Sequence, residues 1–405
     1  MNFSNQSIIL FFVFIIYPLG AIPLVLIEIY NKKYYALYYL AFFMGLFAYL
    51  WVPSGDLHMI SQDYDIVKSV EFLELISINT LDYFYLIIMY LFGVFDLNFA
   101  FIRFTLCTLS YILYFKIFKH LVSSNKYLIE SKFISFISFL IFFFVIRFSG
   151  FLTGVRFTFG LSIFLFGFYS VFFKNKISGW FLIILAALTH FSLWVLLILT
   201  ILSKKINFNK RNLLVFFIIL FAIIFSTEAI ILLISYLPID EIIKTHLANY
   251  TTGFYATEEY ETKSLLFRIS RFLSYFIIYP SLIYVLFTKK DISKYSAYLV
   301  LIIVLSFLWK MNSAFSRYAL VVVLVFVITY LATFKKQRNM TFFYLLFLCS
   351  SITYLASIYE VKRELSAGMQ YKVLYTPTPL IFISKYDKFW VEENLTKNGG
   401  FKKLD

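Results

Sequence analysis

Stretches of about 20 consecutive apolar residues recur along almost the whole of this chain, and they constrain its fold more than any other feature. A helix of that length crosses the apolar core of a bilayer, and lipid-exposed backbone must satisfy its own hydrogen bonds. The composition agrees, because 61% of the 405 residues are hydrophobic and 14% are charged, against about 25% in soluble domains. The sequence therefore predicts an all-α polytopic integral membrane protein.

The apolar segments predict about 11 to 13 transmembrane or re-entrant helices in one membrane domain, 1–358, followed by a C-terminal tail, 359–405. The first segment has no basic residues before it, so it is expected to be a spanning helix rather than a cleavable signal peptide. The segments are 7–29, 34–52, 99–118, 132–148, 155–173, 178–201, 213–236, 267–288, 294–309, 315–334 and 341–358, with a shorter one at 83–95.

Basic residues in six short connections set the expected orientation. By the positive-inside rule these connections face the cytoplasm, so two acidic outer loops, 53–82 and 237–266, face outward together with the N-terminus. The six connections hold Lys32 and Lys33; Lys116, Lys119, Lys126 and Lys132; Lys174 and Lys176; Lys204, Lys205, Lys210 and Arg211; Lys289, Lys290 and Lys294; and Lys335, Lys336 and Arg338.

Two segments do not fit a simple alternation of crossings. Basic connections flank both ends of 178–201, and 83–95 with 99–118 must together give one crossing. Both places are expected to hold broken or re-entrant helices, which a membrane tolerates only where the freed backbone is buried in protein or lines a wet cavity. The alternative is that one basic loop breaks the statistical rule and both segments cross normally.

Most of the basic residues in the six cytoplasmic connections are lysines, whereas most of the arginines lie at the expected outer ends of helices. A charged side chain at membrane depth costs about 2.5 to 3.5 kcal/mol on insertion scales, and guanidinium grips phosphate oxygens in a bidentate fork. We therefore predict an outward-facing phosphate site. The alternative is that each arginine reaches lipid headgroups or pairs with an acidic loop. Six of the nine arginines lie at or just inside expected outer helix ends: Arg103, Arg147, Arg156, Arg268, Arg271 and Arg317.

Two further groups of residues are candidates for proton transfer or sugar binding. His190 stands in an apolar segment, in LTHFS, with Ser192 beside it, and histidine transfers protons near neutral pH. Its alternative role is a helix-packing hydrogen bond. The loop VPSGDLHMISQDYD carries Asp56 and Asp63 as candidate general bases and Tyr64 as a candidate sugar contact. The alternative is a solvated acidic loop.

Motifs of other protein classes are not found. There is no phosphate-binding glycine loop, zinc-type histidine pair or paired acidic motif with metal-ligand spacing, so neither a cofactor nor a metal is expected. The net charge of +14 lies largely in the loops that orient the helices, so nucleic-acid binding is not expected. Cys107 and Cys349 both lie in apolar segments, which argues against a disulfide framework.

Four stretches follow one another in order: NKKYY, DYD, the run GVRFTFGLSIFLFGFYSVFFKNKISGWFLIILAALTHFSLWVLLIL, and FSRYALV. This order resembles the EpsG and Wzy group of bacterial polysaccharide polymerases. In that group an arginine opens a helix, a lysine-containing turn follows, and a histidine followed by a serine occurs in the next segment. Here those positions are Arg156, 174–176, His190 and Ser192. The resemblance runs through roughly 30–335 and does not cover the tail.

The resemblance implies a GT-C-like glycosyltransferase in the bacterial inner (cytoplasmic) membrane, with its active site facing the periplasm. Such enzymes transfer a growing glycan from undecaprenyl pyrophosphate to a lipid-linked repeat unit, without a metal. The expected partners are that donor, that acceptor, membrane lipid and a chain-length regulator. The roles would fall to Arg156, Arg271 and Arg317 as pyrophosphate ligands, Arg147, Arg268 and Arg103 as second candidates, His190, Asp56 or Asp63 as the base, and Tyr64 at the sugar.

Two alternative functions stay open. An O-antigen ligase uses the same donor but usually carries one dominant outer loop, whereas two sizeable outer loops are predicted here. A flippase for lipid-linked oligosaccharides would show regular helices and two similar halves, and no internal repeat is evident. The sequence therefore favours a polymerase first, a ligase or another lipid-linked-sugar transferase second, and a flippase third.

Overall fold

The computed structural model describes residues 5–77, 80–206, 265–288, 293–308, 312–386, 388–397 and 399–402. This part of the chain is helical, and its one strand-like pairing is an isolated bridge between Leu395 and Phe401. The helices are α1 (Asn5–Ile16), α2 (Pro18–Tyr30), α3 (Ala36–Tyr49), α4 (Asp56–Val67), α5 (Phe72–Ser77), α6 (Tyr83–Val94), α7 (Phe99–Ser124), α8 (Lys126–Glu130), α9 (Lys132–Val145), α10 (Ser149–Thr153), α11 (Val155–Phe173), α12 (Ser178–Thr189), α13 (Leu193–Lys205), α14 (Leu265–Ser274), α15 (Ile278–Thr288), α16 (Ser296–Phe307), α17 (Asn312–Ala332), α18 (Lys336–Glu360), α19 (Lys362–Ala367), α20 (Thr378–Ile381) and α21 (Lys388–Asn394), with 3-10 turns at Ser293–Tyr295 and Met369–Leu374.

Long apolar helices confirm the predicted all-α polytopic membrane fold. Within the described ranges, five stretches are long and apolar enough to cross a membrane, and each matches a predicted segment. The predicted span 213–236 and nearly all of the outer loop 237–266 lie outside the described residues. The five stretches are Phe99–Ser124, Lys132–Leu152, Val155–Phe173, Ala314–Ala332 and Met340–Glu360.

The first apolar segment, 7–29, is two helices rather than one. Tyr17 is extended (φ −147°, ψ 86°) because the ring of Pro18 disfavours helical backbone in the preceding residue. The side chain of Lys33 donates a hydrogen bond to Gln6, so the start of α1 and the residues after α2 lie together. The prediction that this segment is a single spanning helix is therefore wrong.

Both places where simple crossings were expected to fail are irregular. Helix α12 ends at Thr189 and α13 begins only at Leu193, so 178–201 is broken near its middle. Helix α6 has 12 residues, about 18 Å, against the 30 Å or so of the bilayer core. Its far end packs on a loop residue, since a Cβ on Gly93 would lie 3.2 Å from the Cα of Lys68.

The helices group into two compact units. The first holds Met1–Ile137, Phe148–Leu197 and Val361–Asp405, and the second holds Ser138–Arg147 and Ile198–Glu360. In the first unit α7 is central and packs against α3 and α11, while α11 also packs against α12. In the second unit α14 packs against α18, and α16 packs against α17.

Two glycines allow α11 and α12 to approach closely in the first unit. A Cβ on either Gly167 or Gly179 would lie 2.7 Å from the carbonyl oxygen of the other, so any larger residue would push the helices apart. The two helices run in opposite directions. As a result, the start of α11 lies beside the end of α12, where the rings of Phe157 and His190 are 5.6 Å apart.

The end of the chain closes on the first polar loop. The backbone N–H of Gly55 donates to the carbonyl oxygen of Gly399 at 2.8 Å. Gly399 has φ +74°, and a Cβ there would lie 2.7 Å from the Cβ of His58, so this position requires glycine. The C-terminal residues therefore pack against the same unit as the helices of the first 137 residues.

Candidate active site

The first element of the candidate site is an ion pair between Arg156, in the first turn of α11, and Asp82, which precedes α6. Arg156 Nη1 lies 3.1 Å from Asp82 Oδ2, and the side chains are 37% and 11% exposed. Its guanidinium carbon also lies 5.9 Å from the centre of the Tyr85 ring. Within the described residues Nη2 and Nε of Arg156 donate no hydrogen bond, so one edge of the guanidinium is held and another remains available.

The same carboxylate supports the break between α12 and α13. Asp82 Oδ1 accepts a hydrogen bond from the backbone N–H of Phe191 at 2.8 Å, one of the donors that the break frees. The backbone N–H of Leu193 returns to the carbonyl oxygen of His190 at 2.9 Å. Buried backbone groups in a membrane protein need such partners. Asp82 therefore holds Arg156 and the broken helix in one arrangement.

His190 lies at this break with a defined ring orientation. Its Nδ1 accepts a hydrogen bond from the backbone N–H of Ser192 at 3.2 Å and lies 2.8 Å from Ser192 Oγ. A backbone N–H can only donate, so Nδ1 carries no proton and the neutral ring bears its proton on Nε2. The ring is buried, and it stacks on Phe191 at 4.8 Å between centroids. In this tautomer Nε2 can donate a hydrogen bond, while the role of His190 as a base remains a prediction.

Tyr85 completes the polar surroundings of the ion pair. The side chain is buried, and its hydroxyl has no hydrogen-bond partner within the described part of the chain. It lies within electrostatic reach of Arg156, Asp82, Asp63 and Arg103. A buried hydroxyl without a partner costs about 1–3 kcal/mol, so a water or substrate oxygen at this position would stabilise the site.

Arg103 has a different environment from Arg156. Its side chain is buried, Nη1 donates to the carbonyl oxygen of Trp51 at 2.6 Å, and Nη2 donates to that of Tyr49 at 3.3 Å. These carbonyl groups lie at the C-terminal end of α3, where backbone acceptors lack partners within the helix. Arg103 therefore joins α7 to the end of α3, while its role as a second candidate for anion binding remains a prediction.

The predicted carboxylates and tyrosine all lie on α4. Asp63 is exposed and is the one near Tyr85, whereas Asp56 is exposed at the first position of the helix, where a negative charge is favoured. The Tyr64 hydroxyl donates to the carbonyl oxygen of Leu97 at 2.6 Å, and its side chain is buried. The charge of Asp63 therefore acts on Tyr85 beside the ion pair, and the hydrogen bond of Tyr64 holds α4 near the start of α7.

The other predicted arginines belong to the second unit. Arg147 is buried, with its guanidinium carbon 4.4 Å from the centre of the Tyr275 ring. Arg268 is exposed on α14, and Arg317 is half-buried in the first turns of α17. Arg271 also belongs to α14, but its side chain lies outside the described residues. Their predicted roles as phosphate ligands remain predictions.

Asp82 was missed as a site residue by sequence reasoning. It was recognised only as the last acidic residue of the loop 53–82. One local signal was available, because Asp82 directly precedes the apolar run of α6, a position where aspartate commonly begins a helix. Its contacts with Arg156 and Phe191 join residues that are 74 and 109 positions away in the chain, and no local pattern carries that information.

Comparison with known families identifies the family of this chain. The model described as the EpsG family matches residues 40–373, from α3 to the beginning of the C-terminal segment. No curated protein and no solved structure matches the chain. The matched range includes Asp82, Arg156 and His190, and it covers most of the sequence. The chain therefore belongs to the EpsG family and is a multi-pass membrane protein with a function of the polysaccharide-polymerase type.

Proposed function

We propose that this protein lengthens a polysaccharide by moving a growing glycan from undecaprenyl pyrophosphate to the sugar end of a lipid-linked repeat unit. The reaction would take place at the periplasmic face of the bacterial inner membrane. One observation supports this proposal most strongly: Arg156 is held by Asp82 beside a helix break, with part of its guanidinium available. Such a group can bind a pyrophosphate at the level where a lipid carrier presents it.

The chemistry can be assigned to groups in the first unit. An acceptor hydroxyl oxygen forms a bond to the anomeric carbon of the donor glycan, and the bond from that carbon to the pyrophosphate oxygen breaks. The electron pair leaves with the lipid pyrophosphate, and Arg156 stabilises the charge that develops there. Because a guanidinium supplies this positive charge, we propose that no metal takes part.

The reaction needs two further groups, a hydrogen-bond donor and a base. We propose that Nε2–H of His190 donates a hydrogen bond to a substrate oxygen, since Nδ1 is engaged by Ser192. The acceptor hydroxyl must lose its proton to a base. We propose Asp63, whose charge acts on Tyr85 beside the ion pair, with Asp56 as the other candidate base. The arginines of the second unit remain proposed contributors to substrate binding.

The proposed function predicts a specific glycolipid pattern in a source strain that lacks this gene. We expect lipid bearing a single repeat unit and no ladder of longer chains, because the unit is made, flipped and ligated but not extended. Gel electrophoresis of the surface glycolipid, beside a complemented strain, measures this. Bare core would indicate a flippase or ligase instead, and an unchanged ladder would contradict a role in polysaccharide assembly.

Replacement of Asp82 by asparagine should lower the rate of elongation about 10- to 100-fold, because one hydrogen bond to a charged group is worth about 1.5–3 kcal/mol. Asparagine still has a carbonyl oxygen to accept from Phe191, so the helix break should persist while Arg156 loses its ion pair. Initial rates with purified lipid-linked repeat units give kcat and KM separately.

Asp65→Asn provides a matched control for this variant, since Asp65 is an exposed carboxylate on α4. It should elongate at the rate of the unmodified protein. If Asp82→Asn and Asp65→Asn showed equal activity, Asp82 would not position Arg156. A partial recovery in Asp82→Glu, which restores the charge, would separate positioning from a general loss of fold.

A further inference from the structure

The segment 369–385, called here the tail segment, is attached to the membrane helices of the first unit. Thr378 Oγ1 donates to the carbonyl oxygen of Phe14 at 2.6 Å, and the Tyr49 hydroxyl donates to that of Phe382 at 2.6 Å. Tyr386, which follows the segment, donates to the carbonyl oxygen of Leu50 at 3.0 Å. Burial raises the pKa of Tyr386 to about 12, so this donor stays protonated at physiological pH.

Contacts with α7 place the tail segment at the depth of the membrane interface. The ring of Phe382 stacks on Phe101, with centroids 5.6 Å apart, and meets the edge of Phe104 at 5.1 Å. These residues lie in the first two turns of α7, about 3 to 8 Å from its start, and α7 is long enough to cross a bilayer. Side chains that point outward near Phe382 therefore face the boundary between headgroups and acyl chains.

The tail segment is apolar on its outward face as well as on its inward face. Val373 and Ile381 are buried against the unit. A water-facing segment of this length would not normally expose a group of large apolar side chains, whereas tyrosine and aliphatic side chains together are typical of a membrane interface. The exposed ones are Tyr371 (53%), Leu374 (52%), Tyr375 (64%), Leu380 (51%) and Ile383 (73%).

Beside these apolar side chains lies a basic cavity of about 450 Å³. It is lined by Lys372, Leu380, Ile383, Ser384 and Lys385. Lys372 Nζ donates to Ser384 Oγ at 3.1 Å, which holds one ammonium group at the wall of the cavity. Two ammonium groups and a hydroxyl next to two aliphatic side chains match the phosphate and the upper acyl chains of a phospholipid.

We propose that the tail segment is a binding site for an anionic glycerophospholipid of the membrane. The lipid phosphate lies between Lys372 and Lys385, and its acyl chains cover Leu380 and Ile383. The site goes beyond the proposed function, since no residue of the candidate active site takes part. The family match ends at residue 373, so most of the tail segment is a feature of this chain outside the matched range.

The test is the retention of phosphatidylglycerol by the purified full-length protein. The protein is incorporated into nanodiscs containing phosphatidylglycerol and phosphatidylcholine, released into detergent and examined by native mass spectrometry. Lys372→Gln/Lys385→Gln should bind phosphatidylglycerol about 30-fold more weakly, which corresponds to about 2 kcal/mol for two lysines at a membrane surface. Leu380→Ser/Ile383→Ser should also weaken retention, and phosphatidylcholine should be retained weakly by every variant.

Lys362→Gln/Lys397→Gln is the matched control, because it removes the same charge from exposed lysines elsewhere in the C-terminal residues. It should retain phosphatidylglycerol like the unmodified protein. Equal retention by both double variants would contradict the proposed site. Displacement of phosphatidylglycerol by an equimolar amount of undecaprenyl phosphate would also overturn it, because the cavity would then select the polyprenyl carrier rather than a bulk lipid. Thermal unfolding of each variant verifies that the fold is retained.

Discussion

Arg156→Ala should reduce glycan elongation about 100- to 1000-fold, the loss that follows removal of one group that stabilises developing negative charge in an active site. The reason is that Arg156 presents the unengaged edge of its guanidinium at a helix break while Asp82 fixes its other edge. The loss should appear mainly in kcat, because charge builds on the pyrophosphate as the bond to the sugar breaks. The measurement is the initial rate of elongation of a lipid-linked repeat unit in proteoliposomes.

Arg156→Lys should retain more activity than Arg156→Ala but less than the unmodified protein, since an ammonium keeps the charge and loses the bidentate geometry. Arg363→Ala is the matched control: Arg363 lies in the C-terminal residues, where its guanidinium carbon is 4.9 Å from the centre of the Phe401 ring. Full activity in Arg156→Ala, with normal membrane abundance, would contradict the proposed role.

A double variant separates catalysis from stability at this ion pair. Removal of Arg156 alone leaves the Asp82 carboxylate partly buried without its charge partner, which destabilises a protein by itself. Arg156→Gln/Asp82→Asn removes both charges and should restore thermal stability. If the pair serves only the fold, elongation should recover together with stability, whereas a role in the reaction predicts a stable but inactive protein.

The helices were predictable because their cause is local. Apolar runs of the length of α7, α11 and α17 fold as helices wherever lipid or protein surrounds them, and these predictions are confirmed. The break at His190 could also be expected, because basic connections on both sides of 178–201 conflict with a simple crossing. Pro18 was a sequence signal for the break at Tyr17, but the length of the apolar run 7–29 favoured one continuous helix.

The candidate site was less predictable because its contacts join distant residues. Composition singled out Arg156 and His190 as polar groups in apolar surroundings, and the packing of α11 on α12 brings them near each other. Asp82 has no unusual sequence setting, and its importance comes from accepting hydrogen bonds from α11 and from the break after α12. The carbonyl partners of Arg103 depend equally on how α3 and α7 pack.

Substitutions of His190 should distinguish a hydrogen-bond donor from a base. Glutamine places an N–H group near the position of Nε2 of the histidine ring, whereas alanine has no polar group there and asparagine is too short to reach it. We expect His190→Gln to elongate within about tenfold of the unmodified protein and His190→Ala and His190→Asn to lose about 100-fold, since general acid–base or hydrogen-bonding residues contribute on that scale. Initial rates in the same proteoliposome assay measure these differences.

Ser192→Ala is the control for the ring orientation. It removes the hydroxyl next to Nδ1 but keeps the backbone N–H that donates to the same nitrogen, so the loss should be about fivefold, equivalent to about 1 kcal/mol for one hydrogen bond. If His190 is the base, glutamine cannot accept the acceptor's proton, and all three His190 variants should be equally inactive. Equal inactivity of the three variants would mean that one ring nitrogen accepts a proton during the reaction. For that, Nδ1 would have to lose its hydrogen bonds from Ser192, or Nε2 would have to lose its proton beforehand. Activity in His190→Gln alone would instead leave the proton of the acceptor hydroxyl to a carboxylate, for which Asp63 is proposed because its charge acts on Tyr85 beside the ion pair.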